Sequence, residues 1–209
     1  MSERYPKIRI HARNGAVLLR EGVNIRFYMR HSHRDLVHGV MRSLESCLRA
    51  VGSTALGWYD DGEGTWRKLD AVGWEHIRLE LLEKRWPQVA LRDALDGDLR
   101  YGFDYRGKAL DEPPAADEPG AVSAVSFWLP TEFLEAHGPK HVRELALELA
   151  APLPFCSGHA GVLPSSVNSI CQAFSAKSAS DASATRAWTS RTWGNTPGRS
   201  VRGYGYHIG

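Results

Sequence analysis

At 209 residues, the chain is long enough to bury the core of one substantial domain, and its 43% hydrophobic and 24% charged residues are ordinary for a globular protein. This composition excludes a fibrous or wholly disordered chain. The formal net charge is +2 and no polybasic run occurs, which argues against a nucleic-acid partner. No apolar run approaches the roughly 18 residues needed for membrane insertion.

The start of the chain and its cysteines predict the cellular compartment. Residues 1–15 carry charges throughout and lack the apolar core of a signal peptide. The cysteines Cys47, Cys156 and Cys171 are odd in number and widely spaced, which fits reduced thiols better than a disulfide framework. We therefore expect a cytoplasmic protein.

The first 52 residues predict strands followed by a helix. Apolar and polar residues alternate on both sides of Asn14-Gly15, a dipeptide that favours a hairpin turn, so two or three antiparallel strands are expected. Ser32 and Asp35 then resemble a capping box, and Gly52 ends the helical spacing. The apolar residues of this helix are Val37, Val40, Met41, Leu44, Cys47, Leu48 and Val51.

The middle of the chain predicts a hairpin, a helix, a strand and an exposed loop. In TALGWYDDGEGTWRKLD, aromatic residues flank two turn-forming acid-glycine pairs. Asp70 can cap a helix that Pro87 ends, and the sequence LRYGFDYRG favours a strand. The proline-broken acidic run DEPPAADEPG favours a loop. The apolar residues that this helix carries are Trp74, Ile77, Leu81 and Leu82.

A second strand-and-helix unit follows this loop. The run AVSAVSFWLP is typical of a buried strand, and Thr131 begins a short helix that Gly138 closes. Pro139 suits the first turn of the next helix. The fold class predicted is therefore α+β: a mainly antiparallel sheet packed with about four helices, with a pseudo-repeat of the strand-helix unit.

Five segments of the chain carry a resemblance to a known family. They are VNIRFYMRHSH, ALGWYDDGEGTWRKLD, YRGKALDEP, AVSAVSFWLPTEFLEAHGP and LPFCSGHAG, and they occur in this order within residues 5–162. In sequence and spacing, these segments resemble the TsiV-like type VI secretion system immunity family. The resemblance implies a protein that protects its own cell by binding a cognate type VI secretion toxin. It implies no enzymatic activity, no catalytic residues and no cofactor.

The resemblance stops near Gly161, and the remaining residues have no regular pattern. Residues 164–209 hold five basic groups and one acid, with serine and threonine abundant. In family members, the chain usually continues there with a sequence such as YPGMDIPDLG. If the codons of ATRAWTSRTWG are read one base earlier, they can encode this family sequence. In that frame the codon at Thr189 must encode aspartate, and the codon at Gly194 must still encode glycine.

A change of reading frame would divide the chain at residue 163. We expect an immunity-family domain at 1–163 and a frame-shifted, poorly ordered tail at 164–209, with Trp188 and Trp193 exposed. Such a tail would weaken the protective activity. The alternative is a C-terminus that has diverged without a change of frame.

Two pairs of potential ligands raise alternatives to a binding protein. His31 and His33 could place two imidazoles on one side of the chain as metal ligands, and Cys156 with His159 has C-x-x-H spacing. Cys156 and His159 could also be the nucleophile and base of a hydrolase-like enzyme. Helix capping and turn packing explain the same residues without a metal or catalysis, and we predict neither.

The predicted partner-binding surface combines the hairpin with the acidic loop. Aromatic anchors within an acidic rim suit a basic toxin surface. The alternative is a solvated hairpin whose aromatic side chains pack inward. The candidate residues are Trp58, Tyr59, Asp60, Asp61, Glu63, Trp66, Asp111 and Glu112.

Overall fold

The computed structural model describes residues 8–11, 13–15, 17–95, 99–166 and 201–202, which form one sheet and three helices. The strands are β1 (Ile10–His11), β2 (Val17–Met29), β3 (Trp58–Asp60), β4 (Trp66–Lys68), β5 (Gln88–Arg92), β6 (Gly102–Arg106), β7 (Ser123–Pro130), β8 (Ser157–Ser166) and β9 (Val201–Arg202). The helices are α1 (His33–Val51), α2 (Ala71–Glu83) and α3 (Thr131–Ala150), with a 3-10 turn at Ala115–Asp117.

The sheet is antiparallel apart from one short pair. Its strand order is β4-β3-β5-β6-β7-β2-β8-β9, with β1 paired to β2, and among the described strands only β8 and β9 run parallel. The long central strand β2 pairs with β7 on one side and with β8 on the other. The predicted α+β class with a mainly antiparallel sheet is therefore confirmed.

The helix count is lower than predicted because two expected helices join. The chain passes from one helical segment to the next at Gly138, whose φ of 77° and ψ of 164° are not helical. Pro139 then opens the second segment, as the sequence indicated. The described residues thus contain three helices, the third of them kinked.

The helices cover one face of the sheet because its strands alternate in character. The inward side chains of the central strands are mostly apolar, and α1, α2 and α3 contribute to the same buried cluster. The central strand residues in this cluster are Val23, Ile25, Phe27, Met29, Phe103, Tyr105, Val125, Phe127 and Leu129. The two strand-helix units, β2-α1 and β7-α3, lie side by side, and Ser43 Oγ of α1 donates to the Leu149 carbonyl of α3 at 2.7 Å.

The two predicted helix caps differ in outcome. Asp70 Oδ1 accepts a hydrogen bond from the Gly73 N–H at 2.9 Å, which confirms the cap of α2. Ser32 stands at the N-cap position of α1, but its hydroxyl donates to Asp111 instead of accepting from the helix. The side chain therefore ties the helix start to the acidic loop, and the expected capping box does not form.

Gly39 lies in α1 at a close approach to the chain that follows α3. A Cβ at this position would lie 2.5 Å from the Pro152 carbonyl oxygen, a backbone atom that cannot move aside cheaply. In an open helix, Gly→Ala adds about 1 kcal/mol of stability. Here we expect Gly39→Ala to lower the free energy of unfolding by about 1–2 kcal/mol instead, because overpacking outweighs helix propensity.

Urea unfolding of the purified chain measures this effect. Arg42→Ala, at an exposed site on the same helix, is the matched control and should shift the free energy of unfolding by less than about 0.5 kcal/mol. A Gly39→Ala variant more stable than the parent would show that α1 is not tightly packed against Pro152.

Candidate partner-binding surface

The tip of the β3-β4 hairpin is built by its own aspartates. Asp60 Oδ1 accepts from the Gly62 N–H at 2.9 Å, and Asp61 Oδ1 accepts from the Glu63 and Thr65 N–H groups at 3.0 and 3.1 Å. Asp61 Oδ2 accepts from Arg67 Nε at 2.8 Å, and this bond lowers the pKa of Asp61. Both aspartates shape the turn, whereas the Glu63 residue is exposed.

The three aromatic candidates of the hairpin lie in two environments. Tyr59 is buried in the core, with its ring centroid 5.1 Å from that of His76. Trp58 and Trp66 are half-buried, and the Arg92 guanidinium lies 4.3 Å from the centroid of the Trp66 ring. Tyr59 therefore stabilises the domain and is not available to a partner, while the two tryptophans keep part of their surface accessible.

The acidic loop is held to the body by ion pairs. Asp111 Oδ2 lies 2.7 Å from Arg34 Nη2, and Glu112 forms an ion pair with Arg85. The hydrogen bond from Ser32 lowers the pKa of Asp111. The loop therefore presents its carboxylates from a fixed position.

Strand register brings the hairpin tip and the acidic loop to the same end of the sheet. β3 ends beside the start of β5, and Gln88 at the start of β5 pairs with Arg106 at the end of β6. The loop follows β6 directly. We name these two segments, residues 60–65 and 111–118, the acidic end. Both segments were recognised in the sequence. Their position at the same end of the sheet was not predicted, because it depends on β5, a strand that pairs with both β3 and β6 and that was not predicted.

The His31-Ser32-His33 segment does not form a metal pair. His33 is buried: its Nε2 donates to the Leu81 carbonyl at 2.7 Å, and its Nδ1 then accepts from the Tyr105 hydroxyl at 2.9 Å. Burial lowers the pKa of His33, which favours this neutral form. The neighbouring His31 is exposed. In the part of the chain that the structure describes, no group of three or more metal-ligating side chains occurs.

The Cys156 and His159 pair is poorly arranged for catalysis. Cys156 Sγ donates to the Tyr28 carbonyl at 3.3 Å, so its proton points toward backbone. His159 lies in β8 opposite Arg26, and burial followed by the Arg26 charge lowers its pKa to about 4. An imidazole with this pKa is a weak general base near neutral pH. The geometry gives no support to the hydrolase-like alternative.

Comparison with known proteins identifies the family. The family model described as "Type VI immunity for VRR-NUC", TsiV, matches residues 40–192, more than half of the chain. The chain belongs to this family. The prediction made from the five segments is therefore confirmed.

A solved structure shares the fold of this TsiV-family protein. Pseudomonas aeruginosa T6SS protein PA0821 superposes with a TM-score of 0.60 at 16% sequence identity, over 79% of this chain and 48% of that one. The chain thus spans about half the length of that neighbour, and the likeness concerns the fold alone. No curated protein matches the sequence.

The predicted division at residue 163 stays a prediction. β8 continues to Ser166, and the family match reaches residue 192, so both extend past this boundary. Val201–Arg202, within the predicted tail, pairs with β8. Trp188 and Trp193, predicted to be exposed, lie outside the described residues.

No helix among the described segments is both long and apolar enough to cross a membrane.

A polar row crosses the sheet face opposite the helices, buried except at the half-buried His159, and sequence reasoning missed it. Strand register aligns Asp104 of β6, Ser126 of β7, Arg26 of β2 and His159 of β8. Arg26 Nε donates to Ser126 Oγ at 2.6 Å. Burial raises the pKa of Asp104 to about 7, although nearby arginines oppose the shift. The row needs four strands in register, which no local pattern could indicate.

The row makes stability depend on pH in two opposing ways. The folded-state pKa of His159, about 4, lies below its ordinary 6.5, so acid favours the unfolded chain and about 2 kcal/mol of stability is lost between pH 7 and 5. The folded-state pKa of Asp104, about 7, lies above its ordinary 3.8. The same change from pH 7 to 5 therefore adds about 2 kcal/mol to the free energy of unfolding. The two contributions have opposite signs in the parent protein.

Single variants should separate these contributions. Compared with the parent, His159→Gln is expected to gain about 2 kcal/mol of stability on going from pH 7 to 5, because only the Asp104 contribution remains. Asp104→Asn is expected to lose about 2 kcal/mol over the same interval. Urea titrations at both pH values measure the differences. Parallel pH profiles for all three proteins would disprove the assigned pKa shifts.

Proposed function

We propose that this type VI immunity family protein binds and neutralises a toxin carrying a VRR-NUC nuclease domain. Neutralisation is by stoichiometric occlusion, without chemistry by the immunity protein. The family match supports the proposal because the family is described by that toxin class. Residues of the acidic end supply the matching surface.

Charge complementarity supports the choice of surface. A nuclease must attract phosphates, so the mouth of its active site is expected to be basic. The acidic end places Glu63, Asp117 and Glu118 at exposed positions on one end of a rigid sheet. Binding there would cover the surface that the nuclease needs for its substrate.

The cytoplasm is the compartment in which this function is needed. A nuclease toxin harms the cell at its nucleic acid, so the immunity protein must be present where that nucleic acid lies. We therefore propose cytoplasmic action. Cell fractionation tests this proposal, and recovery of the protein in the periplasmic fraction would contradict it.

Calorimetry with a purified VRR-NUC domain of the cognate toxin tests the binding proposal. We expect a 1:1 complex with the full chain. The hydrolase-like alternative is tested in the same experiment by Cys156→Ser, which should bind and neutralise as well as the parent because no thiol chemistry is used. Absence of binding, or neutralisation that depends on the Cys156 thiol, would overturn the proposed function.

A further inference from the structure

Helix α2 has two apolar faces, and only one of them packs on the domain. Gly73, Ile77 and Leu81 face the core and are buried. Val72, Leu79 and Leu82 lie on the opposite side and are 76%, 38% and 42% exposed. Of the two neighbouring leucines named from the sequence, Leu81 is buried and Leu82 is exposed. We name Val72, Leu79 and Leu82 the outer stripe.

Spacing along the helix places the three residues of the outer stripe on one side of α2, with Glu75 and His76 between Val72 and Leu79. Residues seven apart return to almost the same angular position on an α-helix, and residues three apart are neighbours. Val72 and Leu79, then Leu79 and Leu82, follow these intervals. Apolar side chains grouped on one exposed side of a helix are a common feature of surfaces that a partner covers.

The outer stripe adjoins the acidic end. α2 leads directly to β5, and the Gln88 N–H at the start of β5 donates to Glu80 Oε1 of α2 at 3.2 Å. Gln88 also pairs with Arg106, from which the chain enters the acidic loop. Arg85, just after α2, is paired with Glu112 of that loop. The end of the stripe near Leu82 and the acidic end therefore form adjoining surfaces.

The charge around the stripe is strongly one-sided. Residues 58–83, which include the hairpin and α2, contain seven acids and three basic groups, a net charge of −4. Residues 108–118 contain four acids and one basic group, a net charge of −3. Within residues 1–163, whose net charge is −2, everything outside these two segments therefore carries +5. The negative charge is concentrated where the apolar stripe is exposed.

We propose that the outer stripe is the apolar centre of the toxin interface and the acidic end its charged rim. The proposal rests on the proposed function and specifies the partner's surface: an apolar patch ringed by lysine and arginine on the VRR-NUC domain. Interfaces commonly have such an apolar centre, which carries most of the affinity, within a polar rim that steers association.

A charge-neutral double variant tests the stripe. Val72→Gln combined with Leu79→Gln keeps helix-forming, unbranched side chains at exposed sites, so the fold should be retained, as circular dichroism and thermal melting can verify. Surface plasmon resonance with the VRR-NUC domain should show the dissociation constant raised at least tenfold, mostly through faster dissociation. The matched control is Leu147→Gln on α3, where the leucine is 50% exposed, and it should bind within twofold of the parent.

Each outcome has a distinct meaning. If the folded double variant binds within twofold of the parent, the stripe is not in the interface, although the proposed function stands. If the parent itself does not bind the VRR-NUC domain, the proposed function fails and this proposal fails with it. If sedimentation shows that the free chain is a dimer that the double variant dissociates, a second copy covers the stripe and the proposal is overturned.

Discussion

Replacement of His33 by alanine is expected to lower the free energy of unfolding by about 3 kcal/mol. The substitution leaves the Leu81 carbonyl and the Tyr105 hydroxyl without the buried partners they have now, at a cost of about 1–3 kcal/mol for each group. Because these two groups belong to α2 and β6 while His33 begins α1, the loss loosens three elements at once. Chemical unfolding monitored by tryptophan fluorescence measures the effect.

His31→Ala is the matched control, two residues away in the same His-x-His segment. Its side chain is exposed, so the free energy of unfolding should change by less than about 0.5 kcal/mol. A metal pair would instead make both histidines important, and zinc would raise the stability of the parent. Equal losses for the two variants, or stabilisation by zinc that both variants abolish, would contradict the structural role assigned to His33.

Charge reversal on the acidic end should slow association with the VRR-NUC domain by about tenfold or more at low salt, because rim charges mainly steer the encounter. The structure selects the positions: Asp60 and Asp61 hold the hairpin turn, so lysine there would disturb the fold. Glu63, Asp117 and Glu118 are exposed, and the triple change to lysine alters the field with less effect on structure. Stopped-flow kinetics over a salt series measures the rate.

A second triple variant controls for total charge. Glu45, Glu144 and Glu148 are exposed on α1 and α3, and their change to lysine adds the same charge away from the acidic end. We expect a much smaller decrease in the association rate for this protein. Equal rates for the two triple variants would show that net charge governs the encounter, and would remove the acidic end from the proposed interface.

Local patterns in the sequence predicted most individual elements correctly. The hairpin, the Asp70 cap and the break at Gly138 follow from turn chemistry, capping and backbone preference within a few residues. β5 escaped prediction because its five residues have too short an alternation to stand out, and its position depends on pairing with β3 and β6. Element type was therefore easier to predict than sheet partners.

The candidate surface was predictable in composition and not in arrangement. The acidic residues were recognised from the sequence, but the burial of Tyr59 and the exposure of Leu82 depend on how the hairpin and α2 meet the sheet. α2 has apolar residues on both sides, so its sequence does not indicate which side is buried. The polar row of Arg26, Asp104, Ser126 and His159 requires four strands in register and has no local signal.

Titration of nuclease activity tests the central claim most directly. A purified VRR-NUC domain of the cognate toxin is held at a fixed concentration with a DNA substrate, and the full immunity chain is added in increasing amounts. We expect cleavage to fall linearly and to stop near one equivalent of the chain, as stoichiometric occlusion requires. Full cleavage in the presence of a large excess of the folded chain would contradict the proposed function.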